Sequence, residues 1–211
     1  MQVPIVFFDC DGVLTLDSLW SKLHKAVGLP EDLDKKWFDE YYSGTIDYRK
    51  WVQNIEDFYR KQKLYKTLFN KTLSKITINS EAKEIVHYLK KKDIKVGIIS
   101  SGIDYYVEKV AKMLGVDFWK ANATFHFDNK GFFSKIDYVT DDPTTKVLQI
   151  KEICSLLNVK PTETIFIGDS ANDLKAFEFT SNGVLYKSKN EAYRKKAWKT
   201  VESLLELKDL V

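Results

Sequence analysis

Ile5-Val6-Phe7-Phe8-Asp9-Cys10-Asp11-Gly12-Val13-Leu14-Thr15 is the stretch on which the fold turns. Four consecutive apolar residues, β-branched or aromatic, run straight into two aspartates and a glycine, the pattern of a buried strand ending in a polar turn. Three more short apolar runs share this form. Residues 96–99 lead into Ser100-Ser101-Gly102, residues 164–167 lead into Gly168-Asp169-Ser170-Ala171-Asn172-Asp173, and residues 184–186 follow. Residues 80–92, 103–114, 144–157 and 171–177 read as helices between them. Strand and helix in alternation predict an α/β fold, a doubly wound, Rossmann-like, mainly parallel sheet with right-handed crossovers.

Gly115 and Asp142-Pro143 serve here as ordinary helix stop and start signals, without functional content. Residues 121–136 alternate around Asp128-Asn129-Lys130-Gly131 and read as a β-hairpin, expected to extend the sheet with antiparallel strands.

Residues 17–77 break the alternation. They contain no strand-like run, and Trp20, Leu23, Val27, Trp37, Tyr41 and Trp51 begin a series at helical spacing that continues through Ile55, Phe58 and Tyr59. Gly28-Leu29-Pro30 and Ser43-Gly44-Thr45 supply turns. The expectation is a small all-helical cap at 17–77, inserted after the first motif into a catalytic core of 1–16 and 78–211. Helical spacing makes the aromatic residues core first. Any of Trp20, Trp37, Tyr41, Tyr42 and Trp51 that lined a pocket could stack on a ring or cage a quaternary ammonium.

Composition narrows the partners. The 211 residues carry 33 basic and 30 acidic side chains for a net charge of +3, and the lysines are scattered, so nucleic acid is not an expected partner. Cys10 and Cys154 match neither a disulfide framework nor a zinc spacing, and His24, His87 and His126 do not cluster. The N-terminus lacks the basic start of a signal peptide, and no apolar run approaches the roughly 20 residues that span a bilayer. A cytoplasmic protein without a membrane partner, monomer or homodimer, is expected.

In open α/β sheets reactive groups gather at the carboxyl ends of the strands. Asp9 and Asp11 stand there with the period-2 spacing that puts them on one side and Cys10 on the other. Bringing Asp169 and Asp173 to the same edge raises carboxylate pKa values and costs stability unless a cation compensates. All-oxygen ligands select a hard ion, Mg²⁺ before transition metals. The Ser100 hydroxyl, the loop amides around Ser101 and Gly102, and the ammonium of Lys146 supply the donors and positive charge that a phosphoryl group requires.

Taken together and in this order, these motifs resemble the haloacid dehalogenase superfamily across essentially the whole chain. The resemblance implies that Asp9 attacks phosphorus, and that Asp11 protonates the leaving alcohol and then activates water. It implies that Ser100 and Ser101 bind the phosphoryl oxygens, that Lys146 balances their charge, and that Asp9, the Asp11 carbonyl and Asp169 hold Mg²⁺. Asn172 and Asp173 would shape the metal's surroundings. Lys151, a turn and a half further along, would point away. An aspartate at the second position is what phosphatases of this superfamily carry.

The insertion of roughly 60 residues resembles the helical-cap subgroup that includes phosphoserine phosphatases, in which a cap closes over the core and selects the substrate. That subgroup holds phosphoserine with a cap Glu and a cap Arg. The register anchored on Asp9 and Gly44 puts Ser18 and Ile55 at those places, with Arg49 and Arg60 near enough for a shifted register to reach. The expected function is Mg²⁺-dependent hydrolysis of a small phosphorylated metabolite through an aspartyl-phosphate. Phosphoserine phosphatase proper, or a phosphotransferase or mutase passing the same phosphoryl group to a second hydroxyl, are the alternatives.

Overall fold

A computed structural model describes residues 3–211. The chain begins with β1 (Ile5–Phe8), then passes through α1 (Leu19–Val27), α2 (Glu31–Tyr42), α3 (Tyr48–Lys61) and α4 (Lys66–Leu73) before reaching α5 (Ala82–Lys91) and β2 (Lys95–Ile99). It continues through α6 (Asp104–Leu114), β3 (Phe118–Lys120), the hairpin β4 (Ala123–Phe127) and β5 (Phe133–Tyr138), and α7 (Asp142–Leu157). The remainder is β6 (Ile165–Gly168), α8 (Leu174–Thr180), β7 (Gly183–Tyr186), α9 (Glu191–Arg194) and β8 (Lys199–Val201).

The main sheet has the order β3-β2-β1-β6-β7-β8, and every pairing in it is parallel. β1 lies between β2 and β6, with Val6 opposite both Val96 and Ile165, so the two aspartate-bearing turns leave adjacent strands. Both faces are covered. Val6, Phe8, Val96 and Ile98 join one apolar cluster that runs on into the helices of 17–77, while Ile5, Phe7, Ile99 and Phe166 join another with α7 and α8. Burial on both faces explains why these strands read as continuous apolar runs.

One expectation needs correction, and two short strands join the four expected in the main sheet. The hairpin is not an extension of the main sheet: β4 and β5 form a separate two-stranded sheet, touching the rest through the bridges Ile103–Ala123 and Tyr65–Phe132. Its inner residues Phe125 and Phe133 are buried with Tyr59 and Phe69 of α3 and α4, and that packing turns it toward the helices. The three-residue strands β3 and β8 had no sequence signature, because β3 is incompletely buried and β8 buries only Val201.

Within 17–77, Gly28 (φ 78°) ends α1 and Gly44 (φ 76°) follows α2, as the turn residues indicate. The bridge Thr15–Ile78 ties the two ends of this segment together. No helix among the described residues is long and apolar enough to cross a membrane.

Candidate active site

β1 stops at Phe8, so strand alternation does not orient Asp9 and Asp11 as expected. The chain instead makes a tight turn over residues 10–14, closed by the Thr15 amide donating to the Cys10 carbonyl at 3.0 Å. Gly12 sits in it at φ 76°, and a Cβ there would collide with Asp169 Oδ2. Glycine is therefore required twice over, for the left-handed backbone and for the close approach of the neighbouring strand's aspartate. Both carboxylates of the turn still face one cavity.

Asp9 is buried, and its Oδ1 accepts from the Cys10 amide at 2.7 Å and lies 3.1 Å from Lys146 Nζ. With Oδ1 so held, Oδ2 is the oxygen available for chemistry. Lys146, on the second turn of α7, is fully buried and reaches Asp173 Oδ1 at 2.5 Å and Asn172 Oδ1 at 3.1 Å. Lys151 is exposed, as expected. Asp173 Oδ2 accepts from the Asp169 and Ser170 amides at 2.9 and 3.0 Å, so both its oxygens are committed. Its side chain folds back over Gly168, where a Cβ would strike the carboxyl group.

One oxygen from each of Asp9, Asp169 and Asp173 lies within 4.8 Å of the others. Burial raises Asp9 well above the usual carboxylate range, helped by Asp173 and Asp169 and opposed by Lys146. Burial, then Asp173, pushes Asp169 up to about 7. One lysine does not neutralise this group, and an all-oxygen set with surplus negative charge suits a hard divalent cation such as Mg²⁺. Asp9 and Asp169 have oxygens to spare for it, whereas Asp173 has none.

Burial pushes Asp11 up to about 6, against the pull of the Tyr106 hydroxyl and the Lys146 ammonium. Its Oδ1 is buried without a hydrogen-bond partner. Ser100 Oγ, also buried, accepts from the Gly102 amide at 2.9 Å, while Ser101 lies in the cavity wall and accepts from Asn172 Nδ2 at 3.3 Å. The structure thus brings Asp9, Asp11, Lys146, Ser100, Ser101, Asp169, Asn172 and Asp173 together around one site.

The cavity above these residues has a volume of about 460 Å³, roofed by α1, α2 and α3. Trp20 and Trp51 pack against the core as expected and also line the cavity, together with Tyr42, which is 44% exposed. Trp37 and Tyr41 pack as expected, on Phe58 and Trp51 respectively. Ser18 and Ile55 both line the cavity, whereas Arg49 and Arg60 point to solvent, Arg60 binding Glu56, Asp57 and the Ser134 carbonyl.

Sequence reasoning missed two residues. Asp142 is more than a helix start signal: it is buried in the cavity wall, where its Oδ1 accepts from Tyr48 at 2.7 Å and from Asn122 at 2.9 Å, while Asp141 caps α7. Tyr106, an apparent core residue of α6, shares a 2.5 Å hydrogen bond with Thr15 Oγ1 and donates to the Asp17 carbonyl. Only an aspartate beside a helix-starting proline could have signalled the first, and nothing local signals the second.

A parallel sheet with two aspartate turns, a buried lysine and a roofed cavity at its carboxyl edge defines a class of hydrolase. Residues 3–178 match the haloacid dehalogenase-like hydrolase family, and the chain belongs to that family. It is a phosphatase-type enzyme, and its relatives bear this out. A phosphoserine phosphatase from Streptococcus thermophilus is 28% identical over 88% of this chain and 84% of its own. Another from Archaeoglobus fulgidus is 25% identical over 88% of this chain, which spans only 53% of that protein. A solved structure described as a phospho-aspartyl intermediate analogue of phosphoserine phosphatase superposes with a TM-score of 0.85 over 100% of both chains, at 20% identity.

Proposed function

We propose that the chain hydrolyses a small-molecule phosphate monoester through a phosphorylated Asp9, in a Mg²⁺-dependent reaction. The observation that carries this reading is the placement of Asp9 Oδ1 3.1 Å from the buried Lys146 ammonium, within the carboxylate group at the floor of the cavity. Asp9 Oδ2 attacks phosphorus, and the bond from phosphorus to the ester oxygen breaks. Asp11, whose pKa burial raises to about 6, gives a proton to the departing alkoxide. Asp11 then accepts a proton from water as the water oxygen attacks the aspartyl-phosphate, releasing inorganic phosphate and freeing Asp9.

Lys146 offsets the charge of Asp9 and the phosphoryl group, and is itself held by Asp173. Ser100, Ser101 and their loop amides orient the phosphoryl oxygens. Asp9, the Asp11 carbonyl and Asp169 would hold Mg²⁺, which supplies charge neutralisation for the phosphoryl group. Residues 17–77 act as a cap over a core of 1–16 and 78–211, excluding water during attack. The two free, buried cysteines suit a reducing cytoplasm.

Phosphate release from p-nitrophenyl phosphate, with and without Mg²⁺, on wild type and Asp9→Asn tests this. Mg²⁺-dependent release lost in Asp9→Asn supports the mechanism. Release that persists in Asp9→Asn would remove Asp9 from the nucleophile's role.

A further inference from the structure

Apart from His24, which pairs with Asp34, the ionisable groups lining the cavity are carboxylates and tyrosines. Asp34 and Asp142 stand in it above the catalytic aspartates, and no lysine or arginine among the described residues lines it. His24 turns Nδ1 to Asp34 at 2.9 Å and buries Nε2, so neither nitrogen is offered to a ligand. Lys146, the nearest ammonium, lies beneath the floor and is engaged with Asp9 and Asp173.

The wall is also aromatic, and core packing does not account for two of its rings, Phe38 and Tyr42. α2 presents Asp34, Phe38 and Tyr42 at successive i, i+4 positions on one face, yet buries none of its residues. Phe38 and Tyr42 remain 46% and 44% exposed, their rings 4.3 Å apart. Across from them Trp51, backed by Tyr41, meets Phe38 and Tyr48 at interplanar angles of 77° and 70°. Tyr48 donates its hydroxyl to Asp142. Phe38 and Tyr42 keep ring surface open to the enclosed space, and the Asp142 carboxylate bonded to Tyr48 adds negative potential there.

Resting on the phosphatase reading above, we propose that the substrate is the phosphate ester of a small alcohol bearing an ammonium group and no carboxylate. The ammonium sits among Phe38, Tyr42, Tyr48 and Trp51, balanced by Asp142 and Asp34, while the phosphoryl group reaches Asp9. A carboxylate on the alcohol would enter an acidic enclosure without a cationic partner, which is costly in a desolvated site. A neutral alcohol would forgo the cation–π and charge interactions.

The test compares esters matched in shape. With Mg²⁺ present, kcat/KM is measured for choline phosphate, its uncharged carbon isostere 3,3-dimethylbutyl phosphate, ethanolamine phosphate, phosphoserine and p-nitrophenyl phosphate. A preference of about tenfold or more for choline phosphate over the isostere is expected, the scale of a desolvated cation–π contact, with phosphoserine below both. The ethanolamine ester decides whether the ammonium is primary or quaternary. In Asp34→Asn/Asp142→Asn the ratio of choline ester to isostere should fall toward unity, and Ile55→Arg should raise phosphoserine relative to choline phosphate.

Equal rates for ester and isostere, or phosphoserine as the best substrate, overturn the proposal while leaving the phosphatase reading intact. Failure to hydrolyse even p-nitrophenyl phosphate would count against that reading instead. Calorimetric binding of choline phosphate and its isostere to Asp9→Asn protein then makes the same comparison without turnover, and equal affinity overturns the ammonium assignment.

Discussion

Lys146 Nζ lies 2.5 Å from Asp173 Oδ1, and both side chains are wholly shielded from solvent. The same ammonium is 3.1 Å from Asp9, so one cation in α7 holds together carboxylates delivered by two neighbouring strands.

Removing that cation should therefore damage the fold as well as the chemistry. Lys146→Met leaves Asp9 and Asp173 buried and unpaired, a situation that costs about 3–5 kcal/mol. Urea unfolding is expected to show a loss of this order. A loss below about 1 kcal/mol would mean that the pair is not the structural tie described here.

The charge surplus predicts an unusual dependence on pH in protein stripped of metal by EDTA. Burial pushes Asp169 up to about 7 and raises Asp9 in the same direction. Unfolded aspartate titrates near 3.9, so between about pH 4 and pH 7 the folded chain retains protons that the unfolded chain has released. Stability falls as pH rises through that window, and the urea midpoint should be lower at pH 7.5 than at pH 5.5. Saturating Mg²⁺ should flatten or invert the trend; a midpoint that already rises with pH in EDTA contradicts this account.

Mg²⁺ itself should raise Tm, because a ligand at about 100 times its Kd adds about 2.7 kcal/mol to the folded state. Asp169→Asn is expected to abolish most of the shift. Asp173→Asn should lower Tm with or without the ion, since its oxygens are spent on Lys146 and two amides. Loss of the Mg²⁺ effect in the second variant but not the first would exchange their roles.

Gly12→Ala places a side chain at φ 76° and drives its Cβ into Asp169 Oδ2. The left-handed backbone alone costs roughly 1–2 kcal/mol. Weaker Mg²⁺ binding by titration calorimetry should accompany a large fall in kcat, and unchanged metal affinity would show that the turn relaxes away from Asp169.

Tyr106→Phe removes the hydroxyl that bonds Thr15 and the Asp17 carbonyl and sits against Asp11. A stability loss of about 1–3 kcal/mol is expected from the polar groups left unpaired. Asp11 would lose a neighbouring hydroxyl that favours its charged form, so the limb of the kcat profile that follows Asp11 should move to higher pH. A profile that does not move would confine Tyr106 to a packing role.

Much of this was legible in the linear chain because it rests on local chemistry. Apolar runs ending in Asp9-Cys10-Asp11-Gly12, Ser100-Ser101-Gly102 and Gly168-Asp169 announce strands whose carboxyl ends carry function, and that pattern depends only on neighbours along the chain. β3 and β8 escaped because three incompletely buried residues carry no periodicity. The hairpin is legible from its turn but its partner is not, since Phe125 and Phe133 are placed by Tyr59 and Phe69, far away in sequence.

The sequence by itself determined the parallel α/β architecture, the helical character of 17–77, and the acidic and basic groups that meet at the sheet edge. Hydrophobic periodicity and the rule that functional turns follow strands suffice for these. Only the tertiary structure decided that Trp51, Phe38 and Tyr42 face a cavity, that Asp142 joins its wall, and that Ile55 and Ser18 line it while Arg49 and Arg60 turn to solvent. Helical spacing puts residues on a common face without saying whether that face meets core or empty space, and only the packing of α2 and α3 over the sheet edge answers that.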